Sequence, residues 1–398
     1  MAHGVFDHEV LEAIDKLLPT LRERAQETED LRRMPDETVA DLQATGLFKL
    51  TQPTQWGGYA AEPVIIYDAI RRISSACGST GWIAGVFGIH PWHLALFDQQ
   101  AQHEVWGENR EALICSSYAP MGAGLKVEGG FRVSGAWRYS SGCDHAQWAL
   151  LGGPVLEDGG PIMVEGKPQF GSFLIPKSEF TIDRVWDTFG LAGSGSNTVL
   201  VQDVFVPEHR FLSFHDMNDG TMPGVRVNTE PVYRMPWGTI LPTALSTPVL
   251  GMAEGARDIY VEYQRERWRA AFAGEQAKQD PYITERVGRV SSDIDASRRQ
   301  LFGHIAEEYA TLLAGDEVSI ETRLDARRDQ VRATQRNVAA IDVFMESAGA
   351  AALAKGTPLQ RLFRDAHAAR VHATHEAEKV YDMYGKYKFG LDPELIMV

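Results

Sequence analysis

The stretch Gly135-Ala136-Trp137-Arg138-Tyr139-Ser140-Ser141-Gly142 decides the fold of this chain. It joins a strand-like run to an aromatic residue, a pair of hydroxyls and a glycine. Shortly before it, Gly129-Gly130 separates two β-rich runs at 126–128 and 131–133, which is the signal of a hairpin with a two-residue turn. The stretch therefore closes a predicted hairpin. Taken by itself, it also fits a pair of serines in an ordinary turn.

The hairpin belongs to a block of short β-rich runs that alternate with turn residues. The block starts near Ala112 and ends near Arg210, and a loop-rich connector continues to about Pro236. The other strands are predicted at residues 148–151, 170–175, 180–185 and 198–206. About a hundred residues in the middle of the chain therefore form one β unit.

Helical patterns lie on both sides of the β unit. Apolar residues recur at spacings of three and four on the N-terminal side, at Val10, Ile14, Leu17 and Leu21. On the C-terminal side one apolar face is longer, with Val287, Val290, Ile294, Leu301, Ile305 and Leu312. The predicted fold class is α+β, with an N-terminal helical domain at 1–111, a central β domain at 112–225 and a C-terminal helical bundle at 226–398.

Composition narrows the class of protein. The 398 residues are 44% hydrophobic and 23% charged, as in soluble globular proteins. Asp and Glu number 54 against 39 Lys and Arg, and a net charge of −15 argues against nucleic-acid binding. The three cysteines form no CxxC, which argues against a disulfide scaffold and favours a reducing cytoplasm. No apolar run reaches the ~18 residues of a membrane span, and the start MAHGVFDHEV does not resemble a signal peptide.

Several motifs that carry chemistry are absent from the sequence. There is no GxGxxG after a strand, no Walker A run, no GxSxG and no HExxH. His90 and His93, like His372 and His375, are three residues apart, but no carboxylate ligands accompany them. No metal site is therefore expected, and these histidines also fit ordinary polar positions on helices.

Residues 135–142 resemble the flavin-binding strand of the acyl-CoA dehydrogenase superfamily. Members of this superfamily have a helical domain, a β-barrel-like domain and a four-helix bundle, in the same order and proportions as here. The resemblance implies that the hydroxyl of Ser141 bonds to the flavin N5 edge, that Tyr139 is the aromatic residue beside it, and that backbone groups of Tyr139 and Ser140 flank the flavin.

A second landmark, Arg364-Asp365-Ala366, indicates which branch of the superfamily the chain resembles. The Glu that abstracts a proton in many of the dehydrogenases would fall at Ala373, which cannot act as a base, and its neighbour is His372. The chain is similar instead to the oxygenase components of two-component flavin-dependent aromatic hydroxylases. Runs such as CGSTGW, SSGCDHA and RDAHAARVHA, with the ending PELIMV, are closest to oxygenases of steroid and cholesterol degradation. Those enzymes convert a phenolic secosteroid, 3-hydroxy-9,10-secoandrostatriene-dione, to a catechol.

This resemblance assigns roles to further residues. His372 would be the base that activates the phenol, and Ala373 would leave room for the flavin. Trp82 would contact the flavin, while His90 and Ser116 would bind the phenol oxygen. Arg267 or Arg269 would bind the flavin phosphate, although both also fit a solvated helix face. Ala350 and Ala351 would allow a flavin from a neighbouring subunit to approach, with tight helix packing as an equal alternative.

The resemblance also predicts cofactors and partners. FMN, used as FMNH2, is the expected flavin, with FAD as an alternative, and O2 is the co-substrate. A separate NADH-dependent flavin reductase and a homotetramer are expected. Tyr139, Arg138 and His375 replace a Trp, an Asn and an Asn of the secosteroid oxygenases. The alternatives are a related oxygenase on another phenol, an acyl-CoA dehydrogenase, and a non-catalytic helical binding protein.

Overall fold

A computed structural model describes residues 8–269, 274–395 and 397–398. The chain has an α+β fold, in which helices flank a central sheet. The helices before the sheet are α1 (Glu9–Glu23), α2 (Ala25–Leu31), α3 (Asp36–Ala44), α4 (Pro63–Ala76), α5 (Gly78–Leu94) and α6 (Gln99–Trp106). No helix among the described residues is long and apolar enough to cross a membrane.

Helix α5 is the central helix of the N-terminal part, and each of its residues is buried. A helix that is apolar on all sides packs inside a protein, and glycines let its neighbours approach. A Cβ on Gly81 would lie 1.9 Å from Ser74 Oγ of α4, and a Cβ on Gly85 would lie 2.5 Å from the Ala244 carbonyl oxygen. The glycines of α5 therefore position it tightly against its neighbours.

The central sheet has nine strands in the order β11-β8-β4-β2-β3-β10-β9, with β1 and β5 also paired to β4. Most pairs are antiparallel, whereas β1 and β2 run parallel to β4. The strands of this region, which include the small hairpin of β6 and β7, are β1 (Ile114–Ser117), β2 (Gly122–Val127), β3 (Gly130–Ser140), β4 (Trp148–Glu157), β5 (Gly160–Pro161), β6 (Met163–Val164), β7 (Lys167–Pro168), β8 (Phe170–Pro176), β9 (Thr181–Asp183), β10 (Asn197–Pro207) and β11 (Phe211–Ser213).

Long helices follow the sheet. They are α7 (Phe214–Asp219), α8 (Trp237–Glu266), α9 (Pro281–Leu313), α10 (Ile320–Ala348), α11 (Pro358–Arg370) and α12 (Ala377–Lys388), with the short strands β12 (Trp268–Arg269) and β13 (Glu275–Gln276) between α8 and α9. Helix α8 packs against α4, α5, α10 and α11, so it joins the C-terminal bundle to the N-terminal helices. The apolar face predicted for α9 is buried at Val290, Ile294, Leu301, Ile305 and Leu312.

The predicted β unit is present, with shifts at its ends. The hairpin turn lies at Glu128-Gly129, because Val127 pairs with Gly130 and Gly129 has the positive φ of 75° that this turn needs. The strand predicted at 148–151 extends to Glu157, and β11 lies beyond the predicted end near Arg210. The proposed limit at 111/112 falls between α6 and β1. The limit at 225/226 falls inside the 3-10 helix Pro223–Arg226 and stays a prediction.

Candidate active site

The turn after β3 presses Ser141 against α5. Tyr139 has a φ of 66°, which is rare for a residue with a side chain, and its ring is exposed. Gly142 has a φ of 75°, and a Cβ there would lie 2.6 Å from the Phe87 ring of α5. Ser140 and Ser141 are both buried. The turn therefore leaves Tyr139 at the surface and directs the following hydroxyl inward.

Two protein groups hold the hydroxyl of Ser141. The indole Nε1 of Trp82 on α5 donates to Ser141 Oγ over 3.1 Å, and Ser196 Oγ lies 2.8 Å from the same atom. A hydroxyl offers one proton and two lone pairs, so one bonding direction of Ser141 remains for a further partner. Trp82 is almost fully buried, so the indole N–H needs this bond.

His372 lies on the other side of Trp82. The two rings meet edge to face with their centroids 5.6 Å apart. His372 caps the 3-10 helix Ala373–His375, because its Nδ1 accepts the backbone N–H of Thr374 at 3.2 Å. The residue remains exposed to solvent at the rim of the cleft. Partial desolvation, and then the positive charge of Arg327, lowers its pKa, so the ring is neutral at pH 7.

A buried arginine supports the segment that carries His372. Arg327 Nη2 on α10 donates to the Thr374 carbonyl oxygen at 2.7 Å, and its Nη1 donates to Gln330 Oε1 at 3.3 Å. Burial lowers the pKa of Arg327 to about 10. His375 is also buried here, with its Nε2 3.3 Å from Ser246 Oγ, so it is part of the packing behind His372.

His90 lies two turns further along α5 from Trp82. Its Nδ1 bonds to the carbonyl oxygen of Ile114 in β1, and since a carbonyl only accepts, Nδ1 must carry the proton. Nε2 is then a lone-pair acceptor. Burial lowers the pKa of His90 to about 4, which keeps the ring neutral.

A tyrosine and a second histidine lie beside His90. Tyr118 Oη is 2.7 Å from His93 Nδ1, and His93 Nε2 is 3.2 Å from Ser172 Oγ. Desolvation raises the pKa of the Tyr118 hydroxyl, and the side chain of Ser116 lies near enough to offset part of that rise. A small apolar cavity borders His93 and Tyr118, between α5 and the segment that carries Phe214. Uncharged hydroxyls and imidazoles therefore line this end of the site.

Arg267 lies in a separate cleft of about 690 Å³ between the end of α8, the start of α9 and the end of α10. Its Nη1 donates to the Ala348 carbonyl oxygen at 2.7 Å, and its guanidinium lies over the Tyr263 ring. A Cβ on Gly349 would lie 2.4 Å from Arg267 Nη2, so only glycine leaves room there. No carboxylate pairs with Arg267 within the described part of the chain.

The structure brings the sequence-predicted residues into two groups. Trp82, Ser141 and His372 contact one another in a chain of hydrogen-bond and ring contacts, and Tyr139, Ser140 and Ala373 adjoin them in sequence. His90 and Ser116 lie further along α5 and on β1. Arg267 meets the segment that leads to Ala350 and Ala351, both of which are exposed. Among the described residues, the hydrogen bonds of Arg267 go to Ser347 and Ala348 and not to Trp82, Ser141 or His372, and the side chain of Arg269 lies outside those residues.

Sequence reasoning missed several residues of the site. Ser194 and Ser196 belong to a Gly/Ser run, 193–197, that indicates only a turn between strands. Arg327 reaches the segment of His372 through the carbonyl oxygen of Thr374, 47 residues away in sequence, which no local pattern reveals. Tyr118 lies next to the predicted Ser116, and its aromatic type was the available signal.

The residues present fit a bound flavin. Ser141 retains one bonding direction after its two protein partners are counted, and Arg267 is a cation without a carboxylate partner among the described residues. A guanidinium of this kind suits a phosphate. No group of three metal-ligating side chains occurs within the residues that the structure describes.

Comparisons with known proteins show the family of this chain. Residues 243–377 match the family model described as acyl-CoA dehydrogenase, C-terminal domain. The chain is 61% identical, over 96% of its length and 98% of the relative, to the flavin-dependent monooxygenase oxygenase subunit HsaA of Rhodococcus jostii strain RHA1.

Two solved structures extend the comparison. The crystal structure of 3-HSA hydroxylase from Rhodococcus sp. RHA1 is 58% identical, with a TM-score of 0.94 over 98% of this chain and 100% of that one. XiaF from Streptomyces sp., in complex with FADH2 and glycerol, is 27% identical, with a TM-score of 0.88 over 98% of this chain and 97% of that one.

Proposed function

The chain belongs to the flavin-dependent monooxygenase oxygenase subunits that have the acyl-CoA dehydrogenase fold, and on that basis we propose that it hydroxylates a phenolic secosteroid. It is an oxygenase that uses reduced flavin. The proposed substrate is 3-hydroxy-9,10-secoandrostatriene-dione, hydroxylated ortho to its phenol oxygen to give a catechol. The similar 3-HSA hydroxylase and the pair of neutral histidines near Trp82 support this substrate class.

The observation that carries the proposal is the hydrogen bonding of the two histidines. His90 Nδ1 donates to a carbonyl, so its Nε2 presents a lone pair. His372 Nδ1 accepts a backbone N–H, so in the neutral ring Nε2 carries the proton. One histidine is therefore an acceptor and the other a donor. Burial lowers the pKa of His90, and partial desolvation with the nearby charge of Arg327 lowers the pKa of His372, so both rings are neutral at pH 7.

These tautomers suggest a division of roles. Reduced flavin, when bound, supplies the activation of molecular oxygen. His90 Nε2 accepts the phenol O–H, which increases electron density at the ortho carbon, and the Ser116–Tyr118 pair lies beside the same oxygen. His372 Nε2–H donates a hydrogen bond toward the oxygen that is transferred. The base expected at His372 from the sequence is therefore proposed at His90 instead, with His372 as the donor.

Arg267 and its surroundings support a proposal for the flavin, its phosphate site and the reductase. We propose that FMNH2 is the reduced flavin and that Arg267 binds its single phosphate, with Arg269 as a neighbouring cation. Arg267 lies in a cleft apart from the Trp82 group, and the proposed homotetramer would let neighbouring subunits complete each flavin site. A separate NADH-dependent reductase would supply the reduced flavin.

Reconstitution tests this function. The chain, photoreduced FMN, the phenolic secosteroid and O2 should give a catechol, whereas NADH with oxidised FMN and no reductase should give none. Parallel reactions with FADH2 decide between the flavins. Reduction of a bound flavin by an acyl-CoA, without any catechol under the first conditions, would contradict the proposal and favour a dehydrogenase.

A further inference from the structure

Three buried serine hydroxyls form a continuous chain behind the proposed flavin contact. Ser194 Oγ lies 2.7 Å from Ser196 Oγ, and Ser196 Oγ lies 2.8 Å from Ser141 Oγ. All three are at most 7% exposed. In each of the two bonds either oxygen can be the donor, so the chain can run in either direction.

The bonding capacity of Ser141 couples these directions. One lone pair of Ser141 Oγ accepts the fixed Nε1–H of Trp82. A proton and one lone pair then remain, to be shared between Ser196 and the flavin. If Ser196 donates to Ser141, then Ser141 presents its proton to the flavin. If Ser141 donates to Ser196, it presents a lone pair.

The two redox states of a flavin need opposite partners at N5. Oxidised flavin has a lone pair on N5 and needs a donor, whereas reduced flavin carries a hydrogen there and needs an acceptor. Ser141 can accept the N5–H of reduced flavin and still have its own hydroxyl proton hydrogen-bonded only when Ser196 accepts that proton. A buried hydroxyl proton without a partner would weaken the bound state.

We propose that Ser196 is a positioning residue that accepts the proton of Ser141, so that Ser141 presents a lone pair to reduced flavin. The inference rests on the proposed flavin contact of Ser141 and adds a residue that does not touch the flavin. Ser194 extends the chain by one hydroxyl. Two hydrogen bonds from backbone N–H groups hold the segment that carries Ser194 and Ser196. Gly142 N–H donates to the Ser194 carbonyl oxygen at 2.9 Å, and Leu191 N–H donates to Asp365 Oδ1 at 2.7 Å.

The role of Ser196 predicts a selective loss. In Ser196→Ala, Ser141 still donates to oxidised flavin, but its proton has no acceptor when reduced flavin binds. The dissociation constant for FMNH2, titrated without oxygen, should therefore rise ~2–10-fold, the usual effect of one hydrogen bond, while that for oxidised FMN changes little. Ser196→Thr, which keeps the hydroxyl, should restore the wild-type ratio of the two constants.

A double-variant comparison separates this role from simple packing. In a Ser141→Ala background, Ser196→Ala should leave the ratio of the two dissociation constants unchanged, since there is no proton left to accept. Ser297→Ala, which removes an equally buried hydroxyl from α9, is the matched control and should not alter the ratio. If Ser196→Ala does not fold, Ser196→Cys has nearly the same volume and a weak acceptor, and it should show the same selective loss.

The outcomes separate the role of Ser196 from the flavin contact of Ser141. Equal weakening of both flavin forms by Ser196→Ala, with weaker binding of both forms in Ser141→Ala, would overturn the role of Ser196 and leave the flavin contact of Ser141 in place. Unchanged dissociation constants for both forms in Ser141→Ala would remove Ser141 from the flavin site, and the role of Ser196 would be overturned with it.

Discussion

The indole N–H of Trp82 donates a hydrogen bond to the hydroxyl of Ser141 over 3.1 Å. The bond joins α5 to the turn after β3, which are 59 residues apart in sequence. Because the same indole meets the ring of His372, Trp82 connects the three sides of the candidate site. The candidate site is therefore formed by contact between α5 and the turn after β3 rather than by a single motif.

Trp82→Phe keeps an aromatic ring but removes the donor to Ser141. Loss of one buried hydrogen bond costs about 0.5–1.5 kcal/mol, so affinity for reduced flavin should fall ~2–10-fold and more oxygen should be released as hydrogen peroxide. Flavin titration and a peroxide assay measure both effects. Trp106→Phe is the control, since its Nε1 has no partner among the described residues. Equal effects in the two variants would contradict the role of Trp82.

His90→Ala should remove the acceptor for the phenol while leaving flavin binding intact. The loss of a positioned base typically slows the chemical step ~10²–10⁴-fold. Catechol formed per oxygen consumed should therefore fall, because slower hydroxylation lets the release of hydrogen peroxide compete, whereas oxidation of the reduced flavin continues. Product chromatography with an oxygen electrode measures the ratio.

His372→Ala tests the other histidine, and it should raise peroxide release because the donor to the transferred oxygen is lost. His367→Ala is the control on the preceding helix α11, where the ring bonds Asp342 instead of the site. Normal coupling in His372→Ala would contradict the proposed donor. His375→Ala is unsuitable as a mild control, because His375 is buried and bonded to Ser246.

Arg267→Ala should weaken flavin binding ~10-fold or more, since a charge-assisted bond to phosphate is stronger than a neutral hydrogen bond. Gly349→Ala should weaken binding too, because its φ is 83° and the added Cβ would meet Arg267 Nη2. Riboflavin, which lacks the phosphate, should bind wild type and Arg267→Ala equally. The exposed neighbour Arg265 serves as the control. A similar loss of riboflavin affinity would contradict phosphate binding by Arg267.

Glu308 gives a prediction about pH and stability. Burial raises its pKa to about 8, although Thr239 Oγ1 donates to its Oε1 at 3.0 Å. A raised carboxyl pKa means that the folded state holds a proton which the unfolded state loses above about pH 4.5, so this residue costs stability as the pH rises toward 8. The cost approaches about 1.4 kcal/mol per pH unit between the two pKa values.

Glu308→Gln should therefore unfold at a higher temperature than wild type at pH 8, with a smaller difference at pH 5. The comparison between the two proteins cancels the contributions of other titrating groups. Thermal unfolding across this pH range measures it. A difference that does not grow with pH would show that the buried carboxyl is not the cause.

Local patterns predict much of the architecture and part of the site. The apolar stripe of α9 and the hairpin of β2 and β3 follow from periodicity and from Gly129, whose positive φ of 75° a glycine adopts at little cost. The resemblance of residues 135–142 to a flavin-binding strand leads to Ser141. The direction of a hydrogen bond has no sequence signal, so the roles of His90 and His372 emerge only from their partners, Ile114 and Thr374.

Sequence patterns do not predict other residues of the site, for a different reason. Arg327 and Ser196 act through segments that are distant along the chain, and their neighbours are set by the packing of α10 and of the loop before β10. A Gly/Ser run or a charged residue within a helix is ordinary on its own. Only the folded arrangement shows that these side chains are buried against the site.

The most direct test of the central claim is a single turnover under ¹⁸O₂ with FMNH2 and the phenolic secosteroid. The account predicts a catechol that carries one ¹⁸O atom, in a yield near one per FMNH2 for wild type, with hydrogen peroxide replacing catechol in His90→Ala and His372→Ala. A wild-type reaction that returns only hydrogen peroxide and unchanged phenol, with flavin bound, would contradict it.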